Sequence, residues 1–379
     1  MRIAILTLPL HTNYGGILQC FALQTILKQL GHEVIEIEFE KYQQLKLPLK
    51  KYLKVIPRRI ISKCLGRYKE PIFFEHYFNK TLLPKLKAEQ DSVQSHTKQF
   101  IDSNINRIIV SKPSEISKLN LDAFVVGSDQ IWRAPSARYN FGSVATVYLD
   151  FIKRGQIKKI GYSISFGTDV WEYSDAETHI CTDLIKEFDA VSVREDSAVH
   201  LCSEKLSYNK AVQVIDPTML LDKDNYLSLI TGYQLSEGNL FAYILDDAPE
   251  CNKLIKSVTN MTGLKPFFVN SKEDDAERQP QPPVERWLAA FRDANMVVTD
   301  SFHGCVFSII FNKPFWVIGN KKRGYARFES LLKLFELQNR LITEDNSTTD
   351  WSQSIDWIKV NDKRAQLRNV GLNFLKSNL

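Results

Sequence analysis

The first 40 residues alternate between apolar and polar segments in a pattern that predicts a strand, a turn, a helix and a second strand. Residues 3–8 (IAILTL) form a short apolar run typical of a strand buried on both faces of a parallel sheet. A polar turn (HTNYGG) follows at 11–16, and apolar residues then recur at helical spacing until Gly31. Residues 34–39 (VIEIEF) alternate as a second strand. This order is typical of a Rossmann-like domain and places the turn at the carboxyl end of the first strand.

The same rhythm of strands and helices continues to about residue 335. Further strands are predicted over 121–126, 160–164, 190–193, 211–215, 240–245, 265–269, 294–299 and 314–318. Helices are predicted over 178–188, 250–262, 284–291, 305–311 and 325–335. Between about 40 and 120 the chain is rich in charged and aromatic residues with weak periodicity, which indicates helical insertions.

Length predicts two domains, because 379 residues exceed the size at which a single hydrophobic core usually stops growing. We place the boundary in the polar stretch 221–237. Residues 1–220, with the insertion, then form an acceptor-side domain, and residues 221–379 form a donor-side domain. The predicted fold class is α/β, with two Rossmann-like domains facing across a cleft. In open α/β sheets ligands bind beyond the carboxyl ends of the strands, so motifs at strand ends should converge there.

Composition indicates a folded, water-soluble protein of the cytoplasm. The hydrophobic fraction of 44% and charged fraction of 25% are ordinary for globular proteins. No apolar run reaches the length of about 18 residues that a membrane span needs, and the start lacks the pattern of a signal peptide. The six cysteines are scattered without a CxxC pair, which argues against a zinc site or a disulfide framework. We therefore expect reduced thiols and no metal or cofactor.

The net charge of +5 is mild, but one segment concentrates basic residues. Between Tyr42 and Lys69 there are nine lysines and arginines and no acid, interleaved with leucine, isoleucine and valine. Such a segment could lie on an anionic bilayer, which would place the protein at the inner face of the membrane. The alternative is a solvated helical insertion, in which Pro48 and Pro57 should break any single long helix. The sequence offers no comparable argument for nucleic acid as a partner.

Residues 300–304 (DSFHG) are the strongest candidate for chemistry. They follow a predicted strand and open an apolar helix, so His303 should lie where free backbone N–H groups and the helix dipole favour an anion. Ser301 adds a hydroxyl, and Gly304 allows close approach. A lone histidine is often structural, yet this position between a strand end and a helix start favours a functional role.

Basic residues follow two other predicted strands. Lys321, Lys322, Arg323 and Arg327 come after the strand at 314–318 and suit a phosphate and a carboxylate, or else form a solvated loop. Arg194 directly follows the strand at 190–193. It could present its guanidinium to a carboxylate, or else form an ordinary interdomain ion pair.

Acceptor contacts are expected at two more strand ends. Asn13, Tyr14 and Gly15 resemble a phosphate or sugar turn, although the chain matches neither GxGxxG nor a P-loop there and the glycines could simply make the turn. Ser128 and Trp132, with the carboxylate of Asp129 between them, suit a carbohydrate. The alternative is a capped helix with a packed tryptophan.

An ordered set of short motifs over roughly residues 3–335 resembles the polysaccharide pyruvyl transferase family. Each motif is weak alone, but the order is fairly specific. The motifs are Asn13-Tyr14-Gly15 with Leu18-Gln19 and Ala22-Leu23, Gly127-Ser128-Asp129 with Trp132, Ser192-Val193-Arg194-Glu195, Asp216-Pro217-Thr218, and Ser301-Phe302-His303-Gly304.

The resemblance implies a GT-B-like architecture and a pyruvyl transfer from phosphoenolpyruvate to sugar hydroxyls of a polysaccharide or its lipid-linked precursor. The product would be a pyruvyl ketal, as in exopolysaccharide or capsule, with phosphate released. By similarity His303 would be the acid, Arg194 would hold the donor's anionic groups, and Lys321 or Arg323 would add a basic donor contact. Asp129 is a candidate base for the acceptor hydroxyl.

The chain departs from the family pattern at one position and leaves two other functions open. Many members carry an arginine two residues before the histidine, where this chain has Ser301. A GT-B glycosyltransferase that uses a nucleotide sugar is one alternative, because a fold does not determine function. A non-catalytic sugar-binding protein is the other.

Overall fold

The chain is described by a computed structural model that covers residues 1–41, 44–45, 48–153, 155–234, 238–246, 248–269, 280–319, 325–343, 351 and 353–379. Its frame consists of two parallel β-sheets of seven and five strands. The predicted α/β class with two parallel, Rossmann-like sheets is confirmed.

The first sheet has the strand order β3-β2-β1-β4-β5-β6-β7, and all of its pairs are parallel. Its strands are β1 (Arg2–Leu6), β2 (Glu33–Phe39), β3 (Arg107–Val110), β4 (Ala123–Val126), β5 (Lys158–Ile164), β6 (Ala190–Val193) and β7 (Val212–Gln213). The central strands are the apolar runs that the sequence pattern identified. The edge strand β3 was not predicted, because it lies within the insertion and only Val110 of its four residues is buried.

The second sheet has the order β12-β11-β10-β8-β9. Its strands are β8 (Leu240–Tyr243), β9 (Pro266–Phe267), β10 (Met296–Thr299), β11 (Phe315–Ile318) and β12 (Leu341–Ile342). Here β8, β10 and β11 lie within predicted strands, β9 is shorter than predicted, and β12 was missed. The predicted boundary at 221–237 lies between Gln213 and Leu240, where the first sheet ends and the second begins, and it stays a prediction.

Helices join the strands and cover the sheets. They are α1 (Tyr14–Gln29), α2 (Leu49–Cys64), α3 (Phe74–Tyr77), α4 (Leu83–Val93), α5 (Ser95–Asn104), α6 (Ala134–Phe141), α7 (Asp175–Ile185), α8 (Asp196–Leu206), α9 (Lys223–Leu229), α10 (Pro249–Thr262), α11 (Val284–Asp293), α12 (Phe302–Ile310), α13 (Ala326–Leu334) and α14 (Trp357–Asn378). Within the described chain, no helix combines the length and the apolar character that crossing a membrane requires.

The insertion after β2 is largely helical, as expected, but one detail of the prediction is wrong. Pro48 precedes α2, whereas Pro57 lies inside this 16-residue helix without ending it. Proline removes the N–H that would bond to the carbonyl four residues earlier, here that of Leu53. The helix nevertheless continues past Pro57 to Cys64.

The two halves share one continuous apolar core. Tyr14, at the start of α1, stacks on Trp287 of α11 with ring centroids 5.4 Å apart. Its hydroxyl donates to the carbonyl of Pro282 at 2.7 Å. Tyr14 and Trp287 are both fully buried, so this contact between the halves excludes water.

The C-terminal helix α14 returns to the first half and supports the segment after β7. Arg364 and Arg368 donate to the backbone carbonyls of Leu221 and Leu220. Gly371 has no room for a side chain, because a Cβ there would lie 2.5 Å from the hydroxyl of Tyr162 in β5. The close approach therefore fixes the turn at 217–220 against the first sheet.

Candidate functional site

Polar side chains from four segments meet where the carboxyl ends of the two sheets face each other. We call them the Asp216 cluster: Ser128, Asp129, Arg194, Glu195, Asp216 and His303. Ser128 and Asp129 follow β4, Arg194 and Glu195 follow β6, Asp216 follows β7, and His303 is the second residue of α12 after β10. The expected convergence of strand ends thus occurs, and all six residues are buried.

The carboxylate of Asp216 is the centre of the cluster. One oxygen, Oδ1, accepts hydrogen bonds from the backbone N–H of Thr218 at 3.0 Å and from its hydroxyl at 2.7 Å. The other, Oδ2, accepts from the hydroxyl of Ser128 at 2.9 Å and from Nη1 of Arg194 at 3.0 Å. Nε2 of His303 lies 3.6 Å from the same oxygen.

These neighbours keep Asp216 ionised. Burial alone would raise the pKa of its carboxyl, but His303, the charge of Arg194 and the hydrogen bonds outweigh burial and hold this pKa well below its ordinary value. Asp216 thus presents a fixed negative charge inside the protein. A buried charge of this kind is stabilised by its partners, so removing one of them should lower the free energy of unfolding.

Arg194 is held by carboxylates on three sides. Its Nε donates to Glu195 at 3.1 Å, its Nη1 donates to Asp216, and its Nη2 lies 3.8 Å from Asp129. Burial opposes its charge, but these carboxylates raise the pKa of Arg194 above its ordinary value. Its guanidinium also stacks over the ring of Phe302 at 4.0 Å. Nη2 has no hydrogen-bond partner among the described residues, so one end of the guanidinium can still take an acceptor.

His303 faces this polar cluster and not an apolar interior. Its side chain is 7% exposed, and Nε2 has no hydrogen-bond partner within the described part of the chain. The opposite nitrogen packs against the turn after β1, since a Cβ at Gly15 would lie 2.0 Å from Nδ1 of His303. Gly15 therefore allows a residue of the second half to contact the first half directly.

The backbone of Asp129 adopts an unusual conformation. Its φ of 65° lies in the left-handed region, which residues other than glycine, asparagine and aspartate seldom adopt. The conformation is held by a parallel bridge to Ile164 and by the N–H of Ser165, which donates to the Asp129 carbonyl at 3.1 Å. The role of Asp129 as a base stays a prediction.

Two other predicted site residues cap helices. Asn13 is exposed, and its side-chain oxygen accepts from the N–H of Gly16 at 3.2 Å at the start of α1. Ser301 is 6% exposed, and its hydroxyl oxygen accepts from the N–H of Gly304 at 3.3 Å at the start of α12. Capping uses one lone pair of each oxygen, so both can still contact a ligand.

The aromatic residues expected to touch the acceptor are both buried. Trp132 stacks on Tyr148 at 4.2 Å, and its Nε1 donates to the carbonyl of Val147. This is the arrangement of the packed-tryptophan alternative, and it leaves the indole no exposed face for a sugar. Tyr14 likewise packs between the two halves. Lys321, Lys322 and Arg323 lie outside the described residues.

Sequence reasoning gave no role to Asp216 and placed Arg327 only within a basic group. Arg327 is buried, with its guanidinium 5.9 Å from the ring of Phe302. Burial, together with the charge of Arg194, lowers the pKa of Arg327 to about 10. Asp216 directly follows a predicted strand, so the strand-end rule that selected Arg194 could also have selected it.

The neighbouring glycines 15 and 16 give a matched test of the contact with His303. We expect Gly15→Ala to lower the free energy of unfolding by about 1–3 kcal/mol, because its methyl group would occupy the space of the imidazole. Gly16→Ala should raise it by up to about 1 kcal/mol, because its Cβ would find only ordinary contacts with Asn13, at 3.4 Å or more, and alanine favours helix. Denaturant unfolding measures both. Equal effects of the two substitutions would contradict the contact.

We expect Asp216→Asn to cost about 3–5 kcal/mol of unfolding free energy, because Arg194 loses the charge of a buried partner. The folded pKa of Asp216 is depressed, so its contribution is complete above the unfolded pKa of about 3.9 and is lost only at lower pH. The cost should therefore be constant from pH 5 to 8 in urea titrations. Exposed Asp224→Asn is the control and should change little. If Asp216→Asn lowers the free energy of unfolding no more than Asp224→Asn does, the carboxylate of Asp216 is not central to the cluster.

Comparison with solved structures gives distant similarities. A UDP-GlcNAc 2-epimerase from Methanocaldococcus jannaschii aligns at 10% identity and a TM-score of 0.45, over 98% of this chain and 93% of that one. UGT89C1 of Arabidopsis thaliana, complexed with UDP-L-rhamnose, aligns at 9% identity and a TM-score of 0.46, over 98% and 97%. A UDP-N-acetylglucosamine 2-epimerase from Rickettsia bellii aligns at 11% identity and a TM-score of 0.45, over 100% of this chain and 96% of that one. TM-scores below 0.5 carry no functional argument.

Comparison with family models gives a match over most of the chain. A search of curated protein sequences found no match. The model described as polysaccharide pyruvyl transferase matches residues 13–322, which include every member of the Asp216 cluster. On this match, the chain belongs to the polysaccharide pyruvyl transferase family.

Proposed function

We propose that this enzyme transfers the pyruvyl group of phosphoenolpyruvate to two hydroxyls of a sugar in a polysaccharide or its lipid-linked precursor. The family supports pyruvyl transfer to a polysaccharide. The observation that carries the proposal further is the presence beside Asp216 of two buried nitrogens that have no hydrogen-bond partner in the described structure, Nε2 of His303 and Nη2 of Arg194.

The chemistry requires proton delivery and neutralisation of negative charge. Protonation of carbon 3 of the enol phosphate turns the methylene into a methyl group and leaves an oxocarbenium-like centre at carbon 2. A sugar hydroxyl attacks that centre and loses its proton. A second hydroxyl then takes the place of the phosphate on the same carbon, giving a pyruvyl ketal and inorganic phosphate.

The cluster supplies groups of the right kind for these steps. His303 is the proposed acid, and its Nε2 lies 3.6 Å from the ionised carboxylate of Asp216. Nη2 of Arg194 is the proposed contact for an anionic group of the donor, together with Ser301, Lys321, Lys322 and Arg323. Asp129 is the proposed base for the acceptor hydroxyl.

The acceptor is proposed to approach from the first half of the molecule. Asn13 is the exposed member of the turn after β1, and Gly15 of the same turn touches His303. A sugar held at this turn would lie beside the proposed acid. Both key nitrogens are buried, so donor and acceptor can reach them only after the surrounding side chains move.

The proposal is tested by measuring phosphoenolpyruvate binding and phosphate release in the wild type and in two histidine variants. Phosphoenolpyruvate at 100 times its dissociation constant should stabilise the protein by about 2.7 kcal/mol, and phosphate should be released when a suitable sugar or lipid-linked sugar is added. His303→Ala should slow phosphate release by about 10²- to 10⁴-fold, because it removes the general acid. Exposed His179→Ala is the matched control and should retain the wild-type rate.

Two results would contradict the proposal. One is stabilisation by a nucleoside diphosphate but not by phosphoenolpyruvate, which would favour a nucleotide-sugar enzyme. The other is full phosphate release by His303→Ala, which would exclude the imidazole as the acid.

A further inference from the structure

Helix α2 carries an exposed apolar face. Leu53, Pro57, Ile60 and Ile61 recur at helical spacing and lie on one side of the helix, and all four are exposed. Leu53, Ile60 and Ile61 are 72%, 43% and 60% exposed. We call these four residues the outer face of α2. Large apolar side chains grouped in this way on a surface usually mark an interaction site.

Basic side chains flank the outer face. Lys50, Lys51, Lys54 and Arg58 are all exposed. None of the residues between Tyr42 and Lys69 is acidic. The helix therefore presents an apolar strip beside positive charge, with no carboxylate of its own segment to neutralise it.

The opposite side of α2 is anchored to the protein. Arg59 donates to both carboxylate oxygens of Glu75 at 2.7 Å and to the carbonyl of Ile72 at 3.1 Å. Arg59 Nη1 and Nη2 thus tie α2 to α3, and Nζ of Lys63 donates to the carbonyl of Glu70. Arg59 and Lys63 thus make contacts within the protein, while the four basic residues beside the outer face are exposed.

The insertion begins at the edge of the first sheet that carries the Asp216 cluster. It follows the carboxyl end of β2, and carboxyl ends of parallel strands share one edge. Its later helices also reach the second half, where the N–H of Gln281 donates to the carbonyl of Val93 and Nδ1 of His96 lies 3.0 Å from the carbonyl of Gln281. The insertion therefore begins on the side of the first sheet that carries the cluster and contacts the second half.

We propose that the outer face of α2 docks on an anionic lipid bilayer. Leucine, proline and isoleucine would enter the boundary between headgroups and acyl chains, while the flanking lysines and arginine contact anionic headgroups. Charge complementarity favours this occupant, since a basic surface without acids attracts a negatively charged membrane. The helix lies in the interface and does not span it. The inference does not depend on which donor the enzyme uses.

Vesicle sedimentation of the full chain without substrate tests this surface. Vesicles of equal parts phosphatidylglycerol and phosphatidylcholine should retain the protein at low salt and release it as salt rises, because the attraction is screened. Vesicles of phosphatidylcholine alone should retain much less. Failure of the anionic vesicles to retain the folded protein at low salt would overturn the proposal.

Paired variants separate the apolar and basic contributions. Leu53→Glu combined with Ile61→Glu should abolish retention, and Lys54→Ser combined with Arg58→Ser should weaken partitioning roughly 30-fold, at about fivefold per basic residue. The control combines Val170→Glu with Met261→Glu, at sites 65% and 69% exposed and away from α2, and should bind as the wild type does. Circular dichroism and thermal unfolding confirm that each variant is folded.

Other outcomes would also overturn the proposal. Equal loss of retention in the control would show a general charge effect and not docking through α2. Retention unchanged by Leu53→Glu with Ile61→Glu would exclude the outer face. If the wild type is a dimer and these two substitutions make it a monomer, the occupant is a second copy of the chain.

Discussion

The carboxylate of Asp216 lies buried where three strand ends of the first sheet approach the first turn of α12. Its charge requires the guanidinium of Arg194, and Arg194 in turn requires Glu195 and Asp129. Because charges removed from water are tolerated only when they are paired and hydrogen-bonded, these side chains must be placed together. The arrangement fixes the ends of β4, β6 and β7 relative to His303, and so determines the geometry of the candidate site.

The contact between the halves adds a second constraint. Gly15 and the ring of His303 touch, and Tyr14, next to Gly15, stacks on Trp287. The start of α1 thus contributes both to the shared core and to the site. A substrate that enters between Gly15 and His303 must disturb packing that also stabilises the fold.

Much of the fold could be predicted from the sequence, because strands buried on both faces consist of continuous apolar runs. The runs at 3–8, 121–126 and 294–299 contain β1, β4 and β10. The edge strand β3 and the C-terminal helix α14 were missed. Only Val110 of β3 is buried. In α14 the buried residues are Val360, Gly371 and Leu375. Their position depends on tertiary contacts, such as those of Arg364 and Arg368 with the first half, which a local pattern does not contain.

The site was predictable in location but not in detail. The strand-end rule placed Ser128, Arg194 and His303 where the carboxyl ends of the two sheets face each other. It could not show that Trp132 packs on Tyr148, or that carboxylates already engage Arg194, because partners distant in sequence decide both. The pairing of Asp216 with Arg194, 22 residues apart, is of the same kind.

A crystal structure of the protein with phosphoenolpyruvate would show whether the Asp216 cluster receives an anionic enol phosphate beside an imidazole. We expect the donor within hydrogen-bond distance of Arg194 Nη2, with its methylene carbon facing His303 Nε2. Phosphoenolpyruvate bound elsewhere, with the cluster unchanged, would exclude this role for the cluster.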